Sequence, residues 1–81
     1  MNYQNRDFIT KAKFKFSHSQ EDIGYDVFTK GKDWRLIVFY LEGEKELEVP
    51  RYWFIKGNLT KFEGFISTVD EFNLVCKLIQ V

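Results

Sequence analysis

His18 and Cys76 are the only histidine and the only cysteine in this chain, and they are the side chains best suited to acid–base or nucleophilic chemistry. A nucleophilic cysteine needs a neighbouring base and partial exposure to solvent. Nothing in the sequence brings these two residues together, and Cys76 falls in an apolar stretch. We therefore predict that Cys76 is a buried structural thiol and that His18 is a surface residue at a strand end.

Metal and phosphate sites are not indicated either. A zinc site needs several ligands at useful spacing, and His18 is accompanied only by the loop carboxylates Glu21, Asp22 and Asp26, which we expect to be solvated. The five glycines are scattered, and none belongs to a nucleotide-binding pattern. The sequence thus predicts no metal, no cofactor and no enzymatic activity.

Basic residues in the first half of the chain could contact phosphate groups. Such cations, combined with aromatic platforms, are typical of proteins that bind single-stranded nucleic acid. The candidate residues are Lys11, Lys13, Lys15, Lys30, Lys32 and Arg35. However, twelve basic and twelve acidic residues give a net charge of zero. Glu44, Glu46 and Glu48 alternate as the first three lysines do, so cross-strand Lys–Glu pairing is favoured and nucleic-acid binding is the alternative function.

Aromatic residues are the most informative part of the composition. Nine Phe, four Tyr and two Trp make up 19% of the chain, and each ring buries about 150–250 Å² when fully covered. These rings cannot all fit in one small core. The runs 36–41 and 52–55 are apolar on both strand faces, and one helix covers only one side of a sheet. A curled sheet, a second copy of the chain or a different partner must cover the other side.

Interface hot spots are enriched in Trp and Tyr. The predicted partner-binding residues are therefore Trp34, Tyr52 and Trp53, joined by Glu44 and Glu46 from an acidic hairpin.

Periodicity predicts the elements that position these residues. Residues with alternating or β-rich character predict strands over 8–16, 25–29, 34–41 and 46–55. A turn at 42–45 joins the last two of these in a hairpin. From Leu59 to Phe72, apolar residues recur every three or four positions, which predicts an amphipathic helix. A strand at 60–68 with a turn at 69–73 is the competing interpretation, and 74–81 is predicted to be a final buried strand.

Together these elements predict an α+β fold. It is a small, mainly antiparallel sheet with one amphipathic helix near the C-terminus, in the order β-β-β-β-α-β. Residues 1–81 form a single domain, with 1–7 loosely ordered. If 60–68 is a strand, the alternative is a small all-β barrel.

The functional prediction follows from the surplus of aromatic residues and from the lack of a candidate catalytic, metal or nucleotide site. It is a small non-enzymatic protein-binding module, an inhibitor or adaptor that occludes a partner protein, with a homodimer as the predicted oligomer. Phe, Lys, Ile, Asn and Tyr, which have AT-rich codons, total 32 residues, a bias common in viruses, phages and AT-rich bacteria. One cysteine fits a reducing cytoplasm, or the host cytoplasm for a viral protein. The longest apolar run is far shorter than the roughly 20 residues of a membrane span.

Overall fold

The domain is an open antiparallel sheet with two helices packed on one of its faces. The computed structural model describes residues 3–81. The elements in chain order are α1 (Asp7–Lys11), β1 (Lys15–Gln20), β2 (Tyr25–Lys30), β3 (Trp34–Glu42), β4 (Lys45–Lys56), β5 (Leu59–Phe65) and α2 (Val69–Ile79). Each strand pairs antiparallel with the next along the chain, so β1 and β5 are the two edges. The predicted antiparallel sheet with a helix near the C-terminus is confirmed. The prediction of a single helix is wrong because α1 is present as well as α2, and the barrel alternative is wrong because the sheet is not closed.

The predicted hairpin is confirmed at the centre of this sheet. Strands β3 and β4 pair from Trp34 opposite Lys56 to Glu42 opposite Lys45, with one irregularity between Phe39 and Leu41. The turn between them has Gly43 at φ 63°, a conformation that glycine adopts without steric cost.

The first predicted strand, over 8–16, is wrong in its first half. Phe8 and Ile9 are both buried, which a half-buried strand does not allow, and they lie on the single turn of α1. Lys13 then adopts φ 72° and turns the chain into β1, which begins at Lys15. A short helix followed by a turn therefore produced an alternating pattern without being a strand.

Residues 59–72 do not form the predicted helix. The competing strand interpretation describes most of the segment, because β5 runs from Leu59 to Phe65 and pairs with β4. Phe62 lies opposite Phe54, and Gly64 lies opposite Tyr52. Gly64 is a poor helix former, so local propensity favoured the strand as well.

Helix α2 begins at Val69 and occupies the segment predicted as the last strand. Its first turn is fixed by an N-cap, in which the Thr68 hydroxyl accepts a hydrogen bond from the Glu71 backbone N–H at 3.1 Å. This helix carries apolar residues on its buried side, at Phe72 and Cys76, and also on its solvent side, where Leu74 and Leu78 are 55% and 72% exposed. Its sequence is therefore apolar on all sides, as a buried strand would be. Neither helix in residues 3–81 is long and apolar enough to cross a membrane.

The core lies between the two helices and one face of the sheet. Its fully buried side chains include Leu36 and Val38 from β3 and Tyr52 and Phe54 from β4. Phe72 of α2 stands at the centre of the aromatic cluster. Its ring centroid lies 5.0 Å from that of Phe8 and 5.8 Å from those of both Tyr52 and Phe54.

Residues 1–7 are predicted to be loosely ordered, and the structure describes this segment from Tyr3 onward. Met1 and Asn2 lie outside the described residues. Tyr3 is half-buried and stacks on Tyr40, with 6.1 Å between ring centroids. Asp7 is the first residue of α1.

Candidate functional site

The side of the sheet that faces away from the helices carries a second set of apolar side chains. The strand register aligns two adjacent rows of four residues across β2 to β5, and we call these eight residues the open face. They are Val27, Ile37, Trp53 and Glu63 in one row, and Tyr25, Phe39, Arg51 and Phe65 in the next. None of the eight belongs to the core cluster that includes the helices. The open face is therefore an aromatic surface that the helices leave uncovered.

Side-chain contacts hold the open face in a defined arrangement. The Arg51 guanidinium carbon lies 4.3 Å from the Phe39 ring centroid, and its Nη1 lies 3.5 Å from Glu63 Oε1. Tyr25 packs against Phe39 with 5.3 Å between centroids. The Trp53 indole N–H donates to Thr60 Oγ1 at 3.0 Å. Phe65, at the β5 end of its row, is 60% exposed.

A shallow depression extends the open face toward the β3–β4 turn. It has a volume of about 370 Å³ and is lined by Phe39, Leu41, Glu42, Leu47, Arg51 and Phe65. Its walls are mainly apolar, with one cation and one carboxylate. This composition suits an apolar side chain from a partner with a polar group at its rim.

Both edges of the sheet are interrupted by bulges. Ser17 is the extra residue in β1, between the pairs Phe16–Phe28 and His18–Val27. Lys61 is the extra residue in β5, where Phe54 pairs with Phe62 and Ile55 pairs with Thr60. Bulges and edge lysines oppose edge-to-edge pairing of sheets. Association through the open face is therefore favoured over association through an edge.

The predicted partner-binding residues are not brought together. Trp53 lies on the open face, whereas Trp34 lies on the helix side with the Lys56 amine 5.6 Å from its ring centroid. Glu44 is exposed in the β3–β4 turn, and Glu46 is exposed at the start of β4. Tyr52 is 0% exposed in the core, so its selection as a partner contact is wrong.

The predicted phosphate-contacting residues cluster, but not as a stripe on one strand. Lys11 lies in α1 and Lys13 in the following turn, so these two do not share a strand face with Lys15. The β2–β3 and β4–β5 turns meet at one end of the sheet, where the Gly57 N–H donates to the Asp33 carbonyl at 2.8 Å. We call this region the basic end because six cations surround the two turns. They are Lys15, Lys30, Lys32, Arg35, Lys56 and Lys61.

Six of the twelve acidic residues lie at the opposite end of the sheet, around the β1–β2 and β3–β4 turns. They are Glu21, Asp22, Glu42, Glu44, Glu46 and Glu48. Cross-strand pairing of Lys11, Lys13 and Lys15 with the alternating glutamates is therefore wrong, because β1 pairs with β2 and not with β4. The zero net charge of the chain conceals a separation of charge along the strands.

Asp26 is the buried carboxylate of the structure and is not a solvated loop residue. It lies in β2 and is 3% exposed, and its oxygens accept hydrogen bonds from the Tyr3 and Ser19 hydroxyls. Arg6 Nη1 lies 3.4 Å from the same carboxylate. Burial and the contact with Asp26 raise the pKa of Tyr3. These contacts tie the N-terminal segment to the sheet, which is a structural role.

His18 is an exposed residue and Cys76 is a buried one, as the sequence predicted, and the two lie on different elements. His18 is exposed on the edge strand β1, where its Nδ1 lies 3.0 Å from Ser17 Oγ. Cys76 is buried in α2 beneath the opposite face. Burial raises the pKa of the Cys76 thiol to about 11. Residues 3–81 contain no group of three or more His, Cys, Asp or Glu side chains placed to hold a metal.

The native Cys76 thiol is expected to react slowly with alkylating reagents. Only the thiolate is nucleophilic, and a rise in pKa from 9.0 to about 11 reduces its fraction at neutral pH about 100-fold. Alkylation by iodoacetamide, followed by mass spectrometry, should be much slower in the native protein than in concentrated urea. Equal rates in the two conditions would contradict the buried position of this thiol.

No family model, curated protein or solved structure matches the chain. The fold defines it as a small α+β domain with an open meander sheet. Its function must be argued from the open face and the basic end.

Proposed function

We propose that the protein is a non-enzymatic protein-binding module that acts as an inhibitor or adaptor by covering a surface of its partner with the open face. The observation that carries this proposal is the position of both helices on one side of the sheet. The other side carries Tyr25, Phe39 and Trp53, which are half-buried, and Phe65, which is 60% exposed. Apolar patches of this kind mark interaction sites on small proteins.

The residue types on the open face support a protein partner. Trp, Tyr and Arg dominate interface hot spots. Trp53, Tyr25 and Arg51 lie in the two rows that form the open face. Arg51 is already held between Phe39 and Glu63, and Trp53 is held by Thr60. Because these side chains are ordered before binding, little conformational entropy is lost when a partner arrives.

The absence of enzymatic activity is part of the same proposal. It is supported by the separation of His18 from Cys76 and by the raised pKa of the thiol. We place the protein in the cytoplasm, or in the host cytoplasm if it is viral, because a lone thiol suits a reducing compartment.

Two occupants of the open face fit the proposal. A second copy of the chain would form a symmetric dimer in which each open face covers the other. A different protein would be bound by the same residues and lose access to its own ligands. The bulged edges of β1 and β5 make the open face the contact surface in either case.

Replacing Trp53 with glutamate should abolish this contact. Loss of a central hot-spot residue, with a charge placed in the interface, should weaken association at least about 30-fold. Sedimentation velocity of the wild type should show a dimer that Trp53→Glu converts to a monomer. If the wild type is monomeric, the same variant should lose a partner that the wild type captures from the native host.

Leu78→Glu is the matched control, because Leu78 is 72% exposed on α2, away from the open face. It makes the same kind of change and should leave association unaltered. Equal association of wild type and a folded Trp53→Glu variant, or equal losses in the two variants, would refute the proposal.

A further inference from the structure

We infer that the basic end is a second binding site, distinct from the open face, for the phosphate backbone of single-stranded nucleic acid. The site is built by the contact between the two turns. The Gly57 N–H bonds to the Asp33 carbonyl at 2.8 Å, and Arg35 Nη2 donates to the Gly57 carbonyl at 3.3 Å. These bonds fix the β2–β3 and β4–β5 turns side by side. By the strand register, Lys30 and Lys56 lie on the helix side with Trp34, and Lys15 and Arg35 lie on the other side, so the cations surround this end of the sheet.

The cations of this surface are free to meet an external anion. Lys15, Lys32, Lys56 and Lys61 are exposed, as is Arg35. The ion pairs between residues 3 and 81 are Arg6–Asp26 and Arg51–Glu63, and neither lies at the basic end. Asp33 lies among the six cations and contributes one negative charge, which leaves five net positive charges at the basic end. The net local charge is therefore strongly positive although the chain is neutral.

The dimensions of the basic end suit a short stretch of nucleic acid. Five strands at about 4.8 Å spacing give a width of about 19 Å. Phosphates of a stacked strand follow one another at about 3.4 Å, so this width spans about five or six of them, and we expect about four to be contacted at once. The acidic opposite end repels the same backbone and orients the protein with its basic end toward it.

An aromatic ring within this surface favours a single strand over a duplex. Trp34 lies between Lys30 and Lys56 in the strand register and is half-buried, with the Lys56 amine 5.6 Å from its ring centroid. The exposed Leu59 pairs with Lys56 on the far side. Unpaired bases stack on such rings, whereas a duplex keeps its base faces hidden.

Fluorescence anisotropy with a labelled single-stranded oligonucleotide of about 12 residues tests the inference. The wild type should bind, and the affinity should fall with salt with a logarithmic slope of about −3, as four contacts to a single strand predict. A duplex of the same length should bind at least about tenfold more weakly, and Trp34→Leu should weaken single-strand binding about tenfold.

Charge reversal at the two ends of the sheet provides the matched comparison. Lys32→Glu combined with Lys56→Glu changes two exposed residues and should weaken binding at least about 25-fold. Lys45→Glu makes the same substitution at the exposed first residue of β4, at the acidic end, and should change the affinity less than about twofold. Circular dichroism should show all variants folded.

Three results would overturn the inference. They are no binding by the wild type at low salt, equal losses in the two charge reversals, and equal affinity for a single strand, a duplex and polyglutamate. The last would show a general surface for acidic partners, including acidic proteins. The double reversal should leave association through the open face unchanged, so the failure of one proposal does not imply the failure of the other.

Discussion

Phe72→Ala is expected to lower the free energy of unfolding by about 3–5 kcal/mol. The Phe72 side chain is 0% exposed and packs against Phe8, Tyr52 and Phe54. Alanine would remove the ring that joins α1, α2 and the sheet and would leave a cavity at the centre of the core. Since domains of this size are stable by only about 5–15 kcal/mol, the variant should lose a large part of its stability.

Urea denaturation followed by circular dichroism measures this effect. Asn73→Ala is the control, because Asn73 is the next residue of α2 and is exposed. It should change the stability by less than about 0.5 kcal/mol. A loss below about 1 kcal/mol in Phe72→Ala would show that α2 does not close the core as described.

The strands in the middle of the chain could be predicted because local and tertiary preferences agree there. Residues 25–30 and 34–42 are rich in β-branched and aromatic side chains, and glycines mark the turns between and after them. Gly31 and Gly43 both adopt positive φ. The predicted hairpin joins β3 to β4 around the turn that contains Gly43, and it is determined by short-range sequence, so its prediction succeeded.

The two helices could not be located from periodicity because their patterns resemble those of strands. The single turn of α1 is too short to show a helical period. Helix α2 leaves Leu74 and Leu78 exposed, so its sequence is apolar on more than one side. The signal that would have located it is the N-cap pattern, with Thr68 followed three residues later by Glu71.

When two aromatic residues are adjacent on a strand, the sequence does not show which of them lies at the surface. Tyr52 and Trp53 are adjacent on β4, and adjacent residues on a strand point to opposite faces. One of them must enter the core, and composition does not decide which. The helices decide it, because they pack on the Tyr52 side.

The basic end depends on long-range pairing rather than on local sequence. Lys15, Arg35 and Lys56 are far apart in the chain and are brought to the same end of the sheet only through the register of four strands. The sequence indicated a basic first half but gave no reason to include Lys56 or Lys61. It also placed Lys11 and Lys13 on a strand that begins only at Lys15.

Gly24→Ala is expected to destabilise the protein more than Gly31→Ala, although both glycines have positive φ. Gly24 has φ 94°, and a Cβ there would lie 2.2 Å from Leu41 Cβ. Gly31 has φ 61°, and a Cβ there would meet nothing within 4 Å. Both variants place alanine in a left-handed conformation, which costs about 1–2 kcal/mol. Only Gly24→Ala adds a steric clash, which raises the expected loss by a further 1–3 kcal/mol or so.

The clash at Gly24 cannot be relieved by a side-chain rotation, because the nearest atom is the Cβ of Leu41. The Gly24 carbonyl also accepts hydrogen bonds from the N–H groups of Tyr40 and Leu41, at 2.9 and 3.2 Å. Moving the β1–β2 turn away from Leu41 would therefore lengthen or break bonds that join it to β3. Thermal denaturation of the two variants side by side measures the difference, with the strain of positive φ common to both. Equal melting temperatures would mean that the turn and β3 separate at no cost, and this close packing would then contribute nothing to stability.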